Sequence, residues 1–408
     1  MSTKTASVRF IFATIFLDAL GIGLLIPVLP DVIRRFNSDP QFVSDHFGYF
    51  VAVYALMQFL ASPVLGSLSD RFGRRPILLI SLLGAGLDYI LMAFAPNLTI
   101  LYLGRIISGL TGASMTVASS YMADISDDKN RSANFGLIGA GWGLGFICGP
   151  LIGGLLGDMS PTMPFLGAAV LNLLNFFFGL FVLPESLPAT MRRNVEIKRL
   201  NPFKSLAKVL QPSPILVLVW IYVLLFLSGQ SHPSIWTLYT EYKFGWTPRQ
   251  VGFSLAFVGA VIAAAQGGLT RVIIPKTGEI RALFLGIMMY VIGFALFGLA
   301  PAGWMMYAIM LLFSISGIAM PSLQSMLAKR FPSQEQGELQ GTLVSLASLT
   351  AIIGPLFYTK VFSYFTDEKA PIHFPGAPYI GASLFAVVAL VLYAVALHRS
   401  ESEPPTNS

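Results

Sequence analysis

Charge is the scarcest resource in this sequence: 11% of its 408 residues are charged, while 55% are hydrophobic. Soluble domains carry about 25% charged residues. The two or three soluble domains that the length would allow are therefore excluded. A single cysteine, Cys148, in an apolar glycine-rich segment, excludes a disulfide scaffold and reads as a packing residue. The histidines number four, His46, His232, His373 and His398, and they are scattered. Neither a nucleophile–base set, a metal-ligand cluster nor a nucleotide loop is present, so the sequence argues against an enzyme and against a resident metal or cofactor. No connector exceeds about 30 residues, which leaves no room for the extramembrane domain of a receptor or sensor. A cleavable leader is not expected either, because the first apolar run begins at Phe10 and continues through what would be a cleavage zone.

Long apolar runs are abundant instead. A membrane-spanning helix needs about 20 apolar residues, and the sequence predicts twelve helices at 9–30, 46–68, 76–95, 98–122, 132–157, 163–183, 214–239, 248–270, 281–300, 303–328, 338–362 and 376–398. The longest polar interruption, 184–213, opens with Pro184-Glu185-Ser186 and carries Arg192, Arg193, Lys198, Arg199, Lys204 and Lys208. It divides the chain into an N-terminal six-helix bundle (1–183), a central loop (184–213) and a C-terminal six-helix bundle (214–408). With both termini on the cytoplasmic side, 19 basic residues fall on that side and 6 on the other, and Arg105 lies within a span. Short loops obey such a positive-inside bias. The net charge of +6 is thus explained by orientation and requires no nucleic-acid partner.

The halves echo each other. Ile107-Ser108-Gly109-Leu110 recurs as Ile315-Ser316-Gly317-Ile318, and Gly149-Pro150-Leu151 recurs as Gly354-Pro355-Leu356, at offsets of 208 and 205. The pairs fall in the fourth and tenth, and the fifth and eleventh, predicted helices. That pattern suits a duplicated six-helix unit, and transporters built from repeats bind substrate between them near the midplane.

The second connector reads Gly66-Ser67-Leu68-Ser69-Asp70-Arg71-Phe72-Gly73-Arg74-Arg75-Pro76. It resembles the signature loop of the major facilitator superfamily. Arg105-Ile106-Ile107-Ser108-Gly109 is similar to the family's intramembrane-arginine motif. Gly141-Trp142-Gly143-Leu144-Gly145 with Gly149-Pro150-Leu151-Ile152-Gly153-Gly154 resembles its antiporter motif. Leu17-Asp18-Ala19-Leu20-Gly21-Ile22-Gly23, Tyr54-Ala55-Leu56-Met57-Gln58, Gly84-Ala85-Gly86-Leu87-Asp88-Tyr89 and Leu339-Gln340-Gly341 are similar to the tetracycline efflux subfamily. The resemblance implies an all-α membrane protein of major facilitator fold, a multi-pass protein of the bacterial inner membrane that functions as a monomer. It also implies drug export driven by the proton gradient, without a cofactor.

Three charges stand within predicted spans. A charge at the bilayer centre costs about 3 kcal/mol on insertion scales, so Asp18, Asp88 and Arg105 should face a wet cavity or a partner. One reading is a buried salt bridge that fastens helices 1, 3 and 4. The other is proton exchange, in which protonation of a carboxylate changes its attraction to Arg105 and drives helix rearrangement. Asp18, mid-span beside Gly21 and Gly23, is the better carrier. Gln58 and Gln266 can hydrogen-bond substrate or a neighbouring helix. Asp70, Arg71 and Arg74 read as a latch with Asp124 and Arg131 as partners, or as charge that sets topology. Gly145, Gly149, Pro150, Gly153 and Gly154 permit close packing and a bent axis, for structure or for gating.

One departure stands out. The resemblance implies a titratable histidine in helix 8 and an aspartate in helix 9, where this chain carries Ile262 and Tyr290. His232 is the candidate replacement, with a structural imidazole as its alternative. The reading is a proton-coupled exporter of an amphipathic organic molecule; the alternative keeps the fold and carries a metabolite or siderophore-type chelate, by uptake or export.

Overall fold

The computed structural model describes residues 3–112, 114–127, 130–193, 215–331 and 336–402. Most of the predicted central loop, including Lys198, Arg199, Lys204 and Lys208, lies outside the described residues.

Without water in the hydrocarbon region, each backbone N–H and C=O must find its partner within its own segment, and a helix does this alone. The described residues accordingly form helices and no strands, and eleven stretches are long and apolar enough to cross a membrane. The longest, Pro248–Leu299, has 52 residues. As one rod it would measure about 78 Å, more than twice the hydrocarbon thickness. It divides at Gly278, whose φ of 76° and ψ of 162° are not helical. Twelve long helices result among the described residues, as the sequence predicts: α1 Thr3–Leu25, α2 Pro40–Phe72, α3 Arg74–Ala93, α4 Leu98–Ile125, α5 Arg131–Met159, α6 Met163–Val182, α7 Leu216–Phe244, α8 248–277, α9 279–299, α10 Gly303–Ala328, α11 Gln336–Thr366 and α12 Ala377–Ser402.

Helix ends follow local chemistry. Asp39 accepts from Phe42 N at 3.0 Å ahead of Pro40, and Asn97 accepts from Ile100 N at 3.0 Å, so both cap as the sequence allows. Thr247 and Gln250 exchange bonds of 2.9 and 3.4 Å at the start of α8, a capping box. Tight turns at Gly73 (φ 107°), Gly245 (φ 65°) and Gly278 use the left-handed region that glycine alone tolerates well.

By packing, the described residues form two units. One holds residues up to 193 together with Gly245–Gly259; the other holds 215–244 together with those from Ala260 onward. In the first, α1 lies along α5 and α6, and α3 lies against α4 and α6. Phe10, Ile11, Leu78, Val117 and Tyr121 form part of its core. In the second, α12 packs on α7 and α9 around Leu218, Tyr222, Leu283, Leu323 and Tyr393.

Candidate functional site

The three intramembrane charges of the sequence come together in the first unit through aromatic side chains. Arg105 on α4 is 8% exposed. Its guanidinium lies over the rings of Phe50 and Tyr54 on α2, 4.6 and 4.1 Å from their centroids, and its Nε donates to the Phe50 carbonyl at 3.4 Å. Desolvated cation–π pairs of this kind contribute about 2 kcal/mol. Asp88 on α3 is 1% exposed. Arg105 and Ser108 face its carboxylate, and neither reaches hydrogen-bond geometry with it. Asp18 on α1 is half-buried and within electrostatic range of Tyr54 and Tyr89. Four helices thus converge on one cluster.

Tyr54 is its hub, and the sequence does not single it out. Its hydroxyl accepts from Gln58 Nε2 at 3.3 Å, and the same amide donates to the Gly112 carbonyl at 2.9 Å, where α4 interrupts its helix. Gln58 is therefore tied to a helix break. Tyr89 reaches Gly21: a Cβ there would stand 3.0 Å from the tyrosine hydroxyl and 3.4 Å from Asn172 Nδ2. Asn172 and Asn175 of α6 are both buried, and Asn175 donates to Thr14 of α1 at 3.2 Å. These amides extend the polar lining, and neutral residues amid a phenylalanine-rich run carry no signal of that role.

Residues Gly141, Gly145, Gly149 and Gly153 recur every fourth position, which aligns them on one face of α5. A Cβ at each would run into a carbonyl of α1, those of Phe12, Phe16, Leu20 and Leu24 in turn. Small residues allow such backbone approach between membrane helices. The next residue, Gly154, faces the first turns of α8, where Pro248, Arg249 and Gly252 crowd it, and Gly252 abuts the Pro150 carbonyl. Gly149→Leu is expected to force α1 and α5 apart, costing about 1–3 kcal/mol as overpacking does, and to lower the detergent melting temperature. Gly143→Ala, with nothing within 4 Å, is expected to melt like the parent.

At the α2–α3 turn, Arg74 is buried and pairs with Asp70 at 2.5 Å and, through Nε, with Asp124 at 3.1 Å. The sequence offers Asp124 as a candidate partner of this loop; Glu185, from the loop after α6, also meets it. Gly73 has no side chain to cap α3, and the Glu185 carboxylate fills that place, accepting from Arg74 N at 2.8 Å and Arg75 N at 3.3 Å. Ser186 donates to Asp124 at 2.9 Å. Arg71 is exposed, with its guanidinium 5.2 Å from the Phe72 ring centroid, and Arg131 is exposed and outside this network among the described residues.

The second unit repeats the device with its charges exchanged. Glu279 follows Gly278 as Arg74 follows Gly73, and Lys329, just past the end of α10, meets Glu279 at 2.7 Å as Asp124 on α4 meets Arg74. Glu279 also accepts from Ser325 at 2.6 Å. Each member lies 205 residues beyond its counterpart, the offset of the glycine–proline repeat.

His232 on α7 lies inside a cage of rings: Trp236, Phe294, Phe297, Phe313 and Tyr379 have centroids 4.9–5.6 Å from the imidazole. Neither ring nitrogen has a hydrogen-bond partner among the described residues. Ile262, Gln266 and Tyr290 meet around a single cavity between α8, α9 and α10.

The sequence matches the family model "Major Facilitator Superfamily" over residues 11–355 and again over 278–408. It is 42% identical to the class C tetracycline resistance protein of Escherichia coli over 393 residues, which cover 96% of this chain and 98% of that protein. The class B protein of Escherichia coli is 39% identical over 95% of both chains. Among solved structures, a point mutant of the nucleoside transporter NupG superimposes with a TM-score of 0.77 at 13% identity, over 95% of this chain and 99% of that one. A likeness at that identity bears on the fold.

Proposed function

The chain belongs to the major facilitator superfamily, and on that premise we propose that it exports a tetracycline-like amphipathic molecule in exchange for protons. It is a multi-pass membrane transporter of a small molecule and not an enzyme. The observation that carries the finer reading is the convergence of Asp18, Asp88 and Arg105 on Tyr54 within one unit. Carboxylates held out of bulk water in a low-dielectric cleft are candidates for proton exchange. The sequence halves 1–183 and 214–408, joined by 184–213, would alternate access, with Asp70, Arg71, Arg74, Asp124 and Arg131 at the cytoplasmic gate and the glycines and Pro150 of α5 as the bending segment. Gln58 and Gln266 would contact substrate. His232, caged by rings, is assigned the structural imidazole role. The protein would act as a monomer in a bacterial inner membrane with both termini cytoplasmic, powered by the proton gradient without a cofactor. The alternative cargo, a metabolite or siderophore-type chelate carried by uptake or export, is not favoured by the tetracycline resistance relatives.

The test uses inverted vesicles acidified inside and a pH-sensitive dye. Export points inward in such vesicles, so added tetracycline should enter as protons leave, and dye fluorescence should recover. Expression in a drug-sensitive host should raise tetracycline tolerance. Drug movement indifferent to the proton gradient, with unchanged tolerance, would overturn the reading.

A further inference from the structure

A cavity of about 400 Å³ opens within the second unit between α8, α9 and α10, inside the size range of sites for small organic ligands. Two irregular stretches of helix wall it. α8 widens to a π-helix over Ala265–Leu269, α10 tightens to a 3-10 helix over Ser314–Ile318, and the two stretches pack against each other. Each change of pattern breaks the regular hydrogen-bond ladder. At membrane depth such breaks are tolerated only where the backbone is buried in protein or lines a wet cavity. Two of them on one cavity distinguish it from a packing gap. There is room beside Gly317, where a Cβ would meet nothing nearer than Gln266 Cγ at 4.0 Å.

The lining is neutral, with polar side chains set among apolar and aromatic ones. Thr270 and Ser314 spend their hydroxyls on the carbonyls of Gln266 and Leu311. Gln266 and Gln324 present carboxamides, each a donor and an acceptor on one short arm, and Gln324 shares part of that capacity with the Tyr222 hydroxyl. Tyr290 and Phe313 supply rings set edge to face, 5.4 Å apart, with a phenolic hydroxyl on one. None of the lining side chains is charged. A fixed ion entering this wall would shed its water without gaining a counter-charge, which is costly. An uncharged ring system would gain stacking area and two amide partners.

We propose that this cavity binds an uncharged aromatic moiety bearing adjacent carboxamide, hydroxyl or keto groups, with Gln266 and Gln324 as its hydrogen-bonding pair and Tyr290 and Phe313 as its aromatic wall. The proposal rests on the export reading and names the part of the substrate held by the second unit. Selection there is by shape and hydrogen bonding, because no lining group offers a charge.

The purified full-length chain is titrated with tetracycline, followed by its fluorescence, and with ethidium as a fixed-cation probe. Gln324→Ala and Gln266→Ala should each weaken tetracycline binding about tenfold, the loss of one net hydrogen bond. Tyr290→Ala should weaken it at least as much. Tyr290→Asp should weaken tetracycline and strengthen ethidium. Elution as a single species and an unchanged melting temperature certify folding; should Tyr290→Ala fail to fold, the two glutamine variants decide. Glutamine variants that bind tetracycline within twofold of the parent overturn the subsite, while the export reading still stands on proton release by the parent. A parent chain that neither binds tetracycline nor releases protons removes the export reading and the subsite with it.

Discussion

Asp18→Asn is expected to abolish tetracycline-driven proton release from inverted vesicles, by about 100-fold or more, the range that a positioned proton-transfer group contributes. The protein should still accumulate as a folded membrane species. Asparagine matches aspartate in shape, and α1 is held by features the change leaves alone, namely the glycine face of α5 against the carbonyls of Phe12, Phe16, Leu20 and Leu24. Removing a charge from mid-span also relieves a desolvation cost of about 3 kcal/mol, so the melting temperature should hold or rise. Tetracycline binding should persist, because the proposed second-unit cavity lies elsewhere. Loss of folding together with transport would make Asp18 a fastener. Undiminished proton release would move the coupling role to Asp88.

The twelve spans were legible because bilayer thickness and apolar length are the same measurement in two units, and outside α8 the predicted ends fall within six residues of the observed ones. α8 is the instructive exception. The sequence ends it at 270, yet it continues to 277, since Arg271 and Lys276 look like a connector although a helix past the hydrocarbon edge can carry them. Asp18, Asp88 and Arg105 were visible because charge is rare in a span. Tyr54 and Tyr89, which join them, were not, because a neutral aromatic in an apolar helix looks the same whether it packs or bridges. Glu185 was hidden for another reason: it caps α3 from 111 residues away, and a cap supplied by tertiary contact leaves no local pattern. The Glu279–Lys329 pair lies at the duplicated offset of 205, but a search for repeated residue types passes over it because the two charges are exchanged. The duplication preserves attraction between helix ends and not the identity of either partner.

That lesson bears on the buried charges themselves, where fastening and coupling remain physically distinct. Arg105→Met is expected to destabilise the protein by about 3–5 kcal/mol, the cost of leaving a buried charge uncompensated, since Asp88 is 1% exposed and Arg105 and Ser108 are the groups that face it. The change also forfeits the stacking on Phe50 and Tyr54. Asp88→Asn alone should cost less, because Arg105 keeps those rings and the Phe50 carbonyl. Combining the two changes leaves neutral groups of similar volume, so the double variant should recover most of the stability lost in Arg105→Met, read from chemical denaturation of the three variants beside the parent. A double variant no more stable than the sum of its parts would mean that the two charges do not offset each other. Transport then separates the two roles. A fastener replaced by a well-packed neutral pair should export as before. Asp18 still carries a proton in the double variant, but with Asp88 and Arg105 neutral no charge in the cluster remains for that proton to act on, so the stable double variant should bind tetracycline and release no protons.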